Sequence, residues 1–209
     1  IAVEYWQSMY GQRGYLTMTV PVRGRVLFTA KALYACAMAL VAGALDLAGL
    51  VAWFAVLAHA TGTTLGEVLA PLRDALTVGG PGPALATFFI VSSLVGLLTV
   101  IVEIGAVMSI GAQGRFNHLD IGAPLIGIVL LYVGNQVLGL ASTLLLPVSL
   151  DITTGDVVAR MMLSQFLETF RTGVQPTVIG MGSVVVGPLL AGVLAWWAVR
   201  AIERHTCLR

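Results

Sequence analysis

Lysine occurs once in this chain, at Lys31, cysteine occurs twice, and charged residues of both signs make up only 10% of the 209 residues. A soluble domain carries about 25% charged residues. Set against a hydrophobic fraction of 58%, this scarcity argues against a soluble domain and predicts an all-α, polytopic membrane helix bundle in a single domain. The net charge of +1 gives no electrostatic case for nucleic acid. Ala30 precedes the only lysine, so the glycine-lysine pair of a P-loop is missing and ATP phosphates are not cradled in that way. The H-E-x-x-H, C-x-x-C and G-x-S-x-G patterns are also missing, and His59, His118 and His205 share no helix face. Accordingly no catalytic residue, metal or cofactor is assigned to this chain. Cys36, inside an apolar run, and Cys207, near the C-terminus, read as free thiols, with lipidation or metal binding at Cys207 as the alternative.

What the chain does contain is four apolar runs long enough to cross a bilayer, which takes about 20 residues each. They cover residues 32–58, 84–112, 121–146 and 181–202. The first two are separated by a Gly- and Pro-bearing loop with room for one short helix, the second and third by the tight polar turn QGRFNHLD. The last two are separated by residues 147–180, expected outside. Arg13, Arg23, Arg25, Lys31, Arg115, Arg200, Arg204 and Arg209 fall on one side of this arrangement, and only Arg73, Arg160 and Arg171 on the other. Eight cations against three make the first side cytoplasmic in a multi-pass membrane protein.

Polar groups inside the runs stand out because they are costly there. Asp46 is near the middle of the first run, Glu103 in the second, and Asn135 and Gln136 in the third. They read either as the lining of a translocation path or as hydrogen-bonding glue between helices. Ala35, Ala39 and Gly43, and likewise Ala44, Ala48 and Ala52, recur at four-residue spacing, which lets helix backbones approach closely within the bundle or in a dimer. Trp196 and Trp197 read as an interfacial anchor. Between the last two runs, residues 154–171 have helical periodicity, with Phe166 and Phe170 four apart. They predict an amphipathic helix at the outer interface or dipping into it as an outer gate, with a solvated loop helix as the alternative.

Residues 4–31, EYWQSMYGQRGYLTMTVPVRGRVLFTAK, place Tyr5, Trp6, Tyr10 and Tyr15 beside Arg13, Arg23 and Arg25, with Pro21 as a breaker before the first run. By itself this describes an amphipathic entry helix along the inner interface, suited to docking a soluble partner or to anchoring on the membrane surface. The pattern Gly14-Tyr15-Leu16-Thr17, Thr19, Pro21-Val22, Arg23, Arg25 and Lys31 resembles the cytoplasmic segment of ABC type-2 transporter permeases. The turn within SIGAQGRFNHLDIGAPLIGIVLLYVGNQV and the basic tail WWAVRAIERHTCLR resemble later parts of the same family less specifically. The family's acidic entry residue is matched at best by Glu4.

The resemblance implies the last four helices of a six-helix permease, the membrane subunit of an ABC exporter. It also implies a re-entrant element between the last two helices. ATP and Mg would be bound by a separate ABC ATPase subunit, coupled through Tyr10, Arg13, Tyr15, Leu16, Pro21, Arg23 and Arg25. A second permease copy or homologous permease would complete the pathway, with drugs, peptide antibiotics, lipids or polysaccharides as cargo classes. An ATP-independent carrier or channel using Asp46 and Glu103, or a structural membrane subunit, is the alternative.

Overall fold

The computed structural model describes residues 2–11, 14, 22–77, 80–119 and 121–204. Among them are seven α-helices, one 3-10 helix and three short strands. The helices are α1 (Ala2–Met9), α2 (Gly24–Thr61), α3 (Leu65–Thr77), α4 (Gly82–Gly111), α5 (Gly122–Leu145), α6 (Met162–Thr172) and α7 (Gly182–Arg204). α2, α4, α5 and α7 are long and apolar enough to cross a membrane, as expected from the four runs. The protein is thus a predominantly helical, multi-pass membrane chain. Two compact units divide it, one of Ile1–Cys36, Val95–Ala141 and Ser183–Arg209, the other of Ala37–Leu94 and Ser142–Gly182.

The first unit is built on α1, the start of α2, the later part of α4, most of α5, and α7. Its core joins Tyr5, Met9 and Tyr10 to Phe28 of α2, Ala106, Met108 and Ala112 beyond and within α4, and Ala198 of α7. Small residues set the helix spacings. A Cβ at Gly127 would lie 2.5 Å from Val107 Cγ1, and one at Gly111 would lie 2.9 Å from the Pro124 nitrogen, so glycine allows α4 and α5 to pack as a close hairpin. The turn expected at residues 113–120 holds a 3-10 helix, Gly114–Leu119. At Gly24 a Cβ would lie 2.7 Å from Glu203 Cγ and 2.9 Å from Ile202 Cγ2, bringing the start of α2 against the end of α7.

α2 begins eight residues before the apolar run because nothing between Gly24 and Lys31 interrupts a helix; the cations simply occupy its first turns. It ends in a Schellman motif. Gly62 takes φ +68°, its N–H donates to the His59 carbonyl at 3.2 Å, and Thr63 N–H donates to the Ala58 carbonyl at 2.9 Å. A left-handed residue satisfies the last carbonyls in this way, and glycine adopts it without a Cβ penalty.

In the second unit, α3 starts with a reciprocal cap. Thr64 N–H donates to Glu67 Oε2 at 2.7 Å, while Glu67 N–H donates to Thr64 Oγ1 at 3.3 Å. The Thr64 N–H is satisfied by the carboxylate, while the Glu67 N–H is shared between the Thr64 hydroxyl and the Thr64 carbonyl at 3.1 Å, and the hydrogen bonds from Thr64 hold the Glu67 carboxyl below its ordinary range.

The segment between α5 and α7 differs from the single amphipathic helix expected over residues 154–171. It opens with an antiparallel hairpin of β1 (Ser149–Asp151) and β2 (Val157–Val158), continues through α6, and returns through β3 (Val178–Gly180) on the other side of β1. Register pairs Leu150 with Val157 and with Ile179. Asp151 accepts from the Thr153 N–H at 2.8 Å and Gly155 adopts φ +80°, so a tight turn interrupts the helical period at its start. A Cβ on Gly180 would overlap the Thr143 carbonyl oxygen, and one on Gly182 the Ser142 carbonyl oxygen. Two glycines therefore seat the returning strand directly on the last turn of α5.

Candidate functional site

The entry segment is held by its own aromatic side chains. Ser109 of α4 spends its hydroxyl hydrogen on the Gly105 carbonyl, at 2.9 Å. It is therefore free to accept, and the Tyr5 hydroxyl 2.7 Å away is the donor. Lys31 Nζ donates to Ser8 Oγ at 2.9 Å, a second tie, to α2. Met9 is fully buried and Tyr10 nearly so, with Trp6 tilted against Tyr10 at a centroid separation of 5.3 Å. Burial raises the Tyr5 phenol to about 12, outweighing the opposing hydrogen bond with Ser109. Tyr10 is raised too, first by burial and then by Tyr5. The Ser109 and Tyr5 hydroxyls are neighbours of Tyr10 Oη, but no described residue is placed to hydrogen-bond it.

This arrangement changes one expectation. Tyr5 and Tyr10 do not form an outward aromatic face: they point into the first unit, because apolar ring area gains more from contact with Phe28, Ala106 and Met108 than from exposure. Of the expected coupling residues, Arg23 and Arg25 are exposed cations at the start of α2. Arg13, Tyr15, Leu16 and Pro21 lie outside the described residues. Neither the Ser109 acceptor nor the Ser8–Lys31 tie was singled out in the sequence. A lone serine in an apolar run carries no signal until a donor is folded onto it.

The intramembrane polar residues divide sharply. Glu103 is fully buried, and its Oε2 accepts from Asn135 Nδ2 of α5 at 2.6 Å. Its Oε1 has no hydrogen-bond partner among the described residues. Sequence reasoning named both residues but not their pairing. Gln136, the next residue on α5, is exposed, and Asp46 is exposed on α2. The helix-packing face that holds Glu103 thus selects Asn135, about 100° round the helix from Gln136.

Val107, one turn from Glu103, also lines an apolar cavity of about 430 Å³ in the first unit, together with Ile110, Leu131, Leu138, Leu194 and Trp197. Such a cavity suits an apolar or amphiphilic molecule by size and lining.

Phe166 and Phe170 make the edge-to-face pair expected of an i, i+4 spacing, with centroids 5.0 Å apart. No residue of α6 is buried, and Phe170 is 76% exposed. The pair therefore does not press into the helices of this chain. Among the described residues no group of three or more His, Cys, Asp or Glu side chains is gathered to hold a metal ion; Cys36 is a partly buried free thiol, and Cys207 lies outside the described residues. No family model, curated protein or solved structure matches this chain.

Proposed function

We propose that the chain is the transmembrane permease subunit of a type-2 ABC exporter in the bacterial inner membrane, moving cargo with ATP hydrolysed by a separate subunit. The observation that carries this reading is the mechanical attachment of α1. An entry helix tied to α4 through Tyr5–Ser109 and to α2 through Lys31–Ser8 passes a push on itself to two spans at once. Its aromatic side chains serve as the rivet, which leaves the exposed cations Arg23 and Arg25 as the surface offered to an ATPase. Nucleotide-driven closure of the ATPases would bias a two-state bundle in which α4 moves with α1. In this scheme the chain performs no bond chemistry. Glu103, Asn135 and the adjoining apolar cavity supply a path for amphiphilic cargo, completed by a second permease.

The test is purification of the full chain from native membrane with its partners, followed by reconstitution. Support requires a P-loop ATPase in stoichiometric amount, and transport that stops when the lysine of that P-loop is replaced. Transport that runs on a proton gradient without any ATPase would overturn the exporter reading. That outcome would favour the carrier alternative, for which the specific observation is that Oε1 of the fully buried Glu103 has no hydrogen-bond partner among the described residues. Such a group is a natural proton or cation site.

A further inference from the structure

The element between α5 and α7 meets its neighbours in two different ways. Only residues 146–148 separate α5 from β1, and only Met181 separates β3 from α7. Gly180 and Gly182 lie where a Cβ would overlap the carbonyl oxygens of Thr143 and Ser142, so this side is seated backbone on backbone. The Met181 N–H donates to the Val148 carbonyl at 2.9 Å, and β1 pairs with β3 from Ser149 to Asp151. Ser149 Oγ donates to the Arg160 carbonyl at 2.7 Å and closes the base of the β1–β2 hairpin. At the tip the Gly155 N–H donates to the Asp151 carbonyl at 2.8 Å, and the Asp151 N–H to the Asp156 carbonyl at 2.9 Å. From α5 to its tip the element is one hydrogen-bonded piece.

The tip meets the start of α4 through carbon alone. A Cβ on Gly155, which has φ +80°, would lie 2.9 Å from Ala84 Cβ and 3.2 Å from Pro81 Cα. Glycine therefore lets the turn rest directly on the first turn of α4. Among the described residues no hydrogen bond or ion pair joins residues 151–156 to residues 81–84. The difference decides what can move. Lifting the element off α5 and α7 breaks strand hydrogen bonds. Lifting its tip off α4 parts weak, undirected carbon contacts and strands no buried polar group.

We infer that the β1–β2 turn is a latch, hinged on α5 and α7, that rests on the start of α4 and lifts from it when α4 shifts. The latch, and not the exposed pair Phe166 and Phe170, then forms the outer gate. Such a latch deepens the exporter reading, resting on it only for the two positions of α4.

The test uses pairs of spin labels on the full chain in nanodiscs, in a background without Cys36 and Cys207. One pair joins Thr154→Cys at the tip to Thr87→Cys on α4, the other Thr154→Cys to Leu145→Cys at the end of α5; all three positions are exposed. The first pair should give a single short distance in the resting chain. Ala84→Leu wedges the tip without altering its backbone and should raise the longer-distance population at least tenfold. The second distance should stay unchanged. Gly155→Ala should also open the first pair, and Ala84→Gly beside it should bring the short distance back, which tells an opened latch from a misfolded chain. A first distance indifferent to Ala84→Leu and Gly155→Ala, or a second distance that changes with it, would overturn the latch. In the reconstituted transport complex the first distance should alternate during turnover. Alternation without any ATPase keeps the latch and removes the exporter reading; a fixed distance during ATP-driven transport removes the latch and keeps that reading.

Discussion

Tyr5 and Tyr10 are five residues apart, buried in one cluster, and differ in hydrogen bonding: the first hydroxyl has an acceptor and the second has none among the described residues. Removing each hydroxyl should therefore move stability in opposite directions. Tyr5→Phe deletes the bond to Ser109, while Ser109 keeps its own bond to Gly105, so only one net hydrogen bond is lost. That costs about 1 kcal/mol. Tyr10→Phe deletes a buried hydroxyl whose desolvation, about 1–3 kcal/mol on mutational scales, is uncompensated. It should stabilise the attachment of α1 by about 1 kcal/mol if the ring keeps its place.

The assay is equilibrium unfolding in mixed micelles with a probe on Trp6, whose ring lies tilted against Tyr10. pH supplies an independent check. Tyr5 is raised from 10 to about 12, so the folded state holds the phenolic proton more tightly than the unfolded state. Its stabilising contribution is complete below pH 10 and is lost as pH rises through about 12. The Tyr5→Phe variant should lack this part of the alkaline transition. Equal destabilisation by the two Phe variants, or an alkaline transition unchanged by Tyr5→Phe, would refute the reasoning.

Four further outcomes are expected. Asn135→Leu strips Glu103 of the one donor it has among the described residues and should destabilise the chain by about 1–3 kcal/mol, whereas Glu103→Leu with Asn135→Leu should be better tolerated in denaturation assays than the single change. Gly182→Ala should cost about 1–3 kcal/mol in thermal unfolding, since its Cβ has to displace the Ser142 carbonyl. Phe166→Ser with Phe170→Ser should cost about 1 kcal/mol, the value of the ring pair, not the roughly 3–6 kcal/mol of two fully buried rings. A larger loss in the isolated chain would mean that α6 packs more deeply than its exposure indicates. Single cysteines at Thr64 and Thr154 in a Cys-free background should take an impermeant maleimide in intact cells while one at Asn117 should not, and the converse pattern would reverse the proposed orientation.

The four membrane helices were legible in the sequence because a bilayer imposes a one-dimensional requirement, a run of about 20 apolar residues; the ends of α4, α5 and α7 fall within two residues of the expected limits. The early start of α2 escaped the apolar run because the cations of its first turns lie outside that run, and the cap of α3 depended on local hydrogen bonds: Thr64 and Glu67 carried the signature of a capping box, but a loop rich in Gly and Pro masked it. The three-stranded sheet lay beyond sequence patterning. Its strands are two or three residues long, too short to express a period, and they are held by the contact of Gly180 and Gly182 with α5.

The site divides in the same way. Composition singled out Asp46, Glu103 and Asn135 simply because polar groups are scarce and costly inside apolar runs. Only tertiary structure decided that Glu103 meets Asn135, while Asp46 makes no hydrogen bond or ion pair among the described residues, since that depends on which helix face is turned toward a neighbour. The aromatic residues of the entry segment show why such decisions escape the sequence. The same tyrosines that would make an adhesive surface on an isolated amphipathic helix become its attachment once Phe28 and Ser109 stand opposite, and the sign of the outcome is set by residues 23 and 104 positions away.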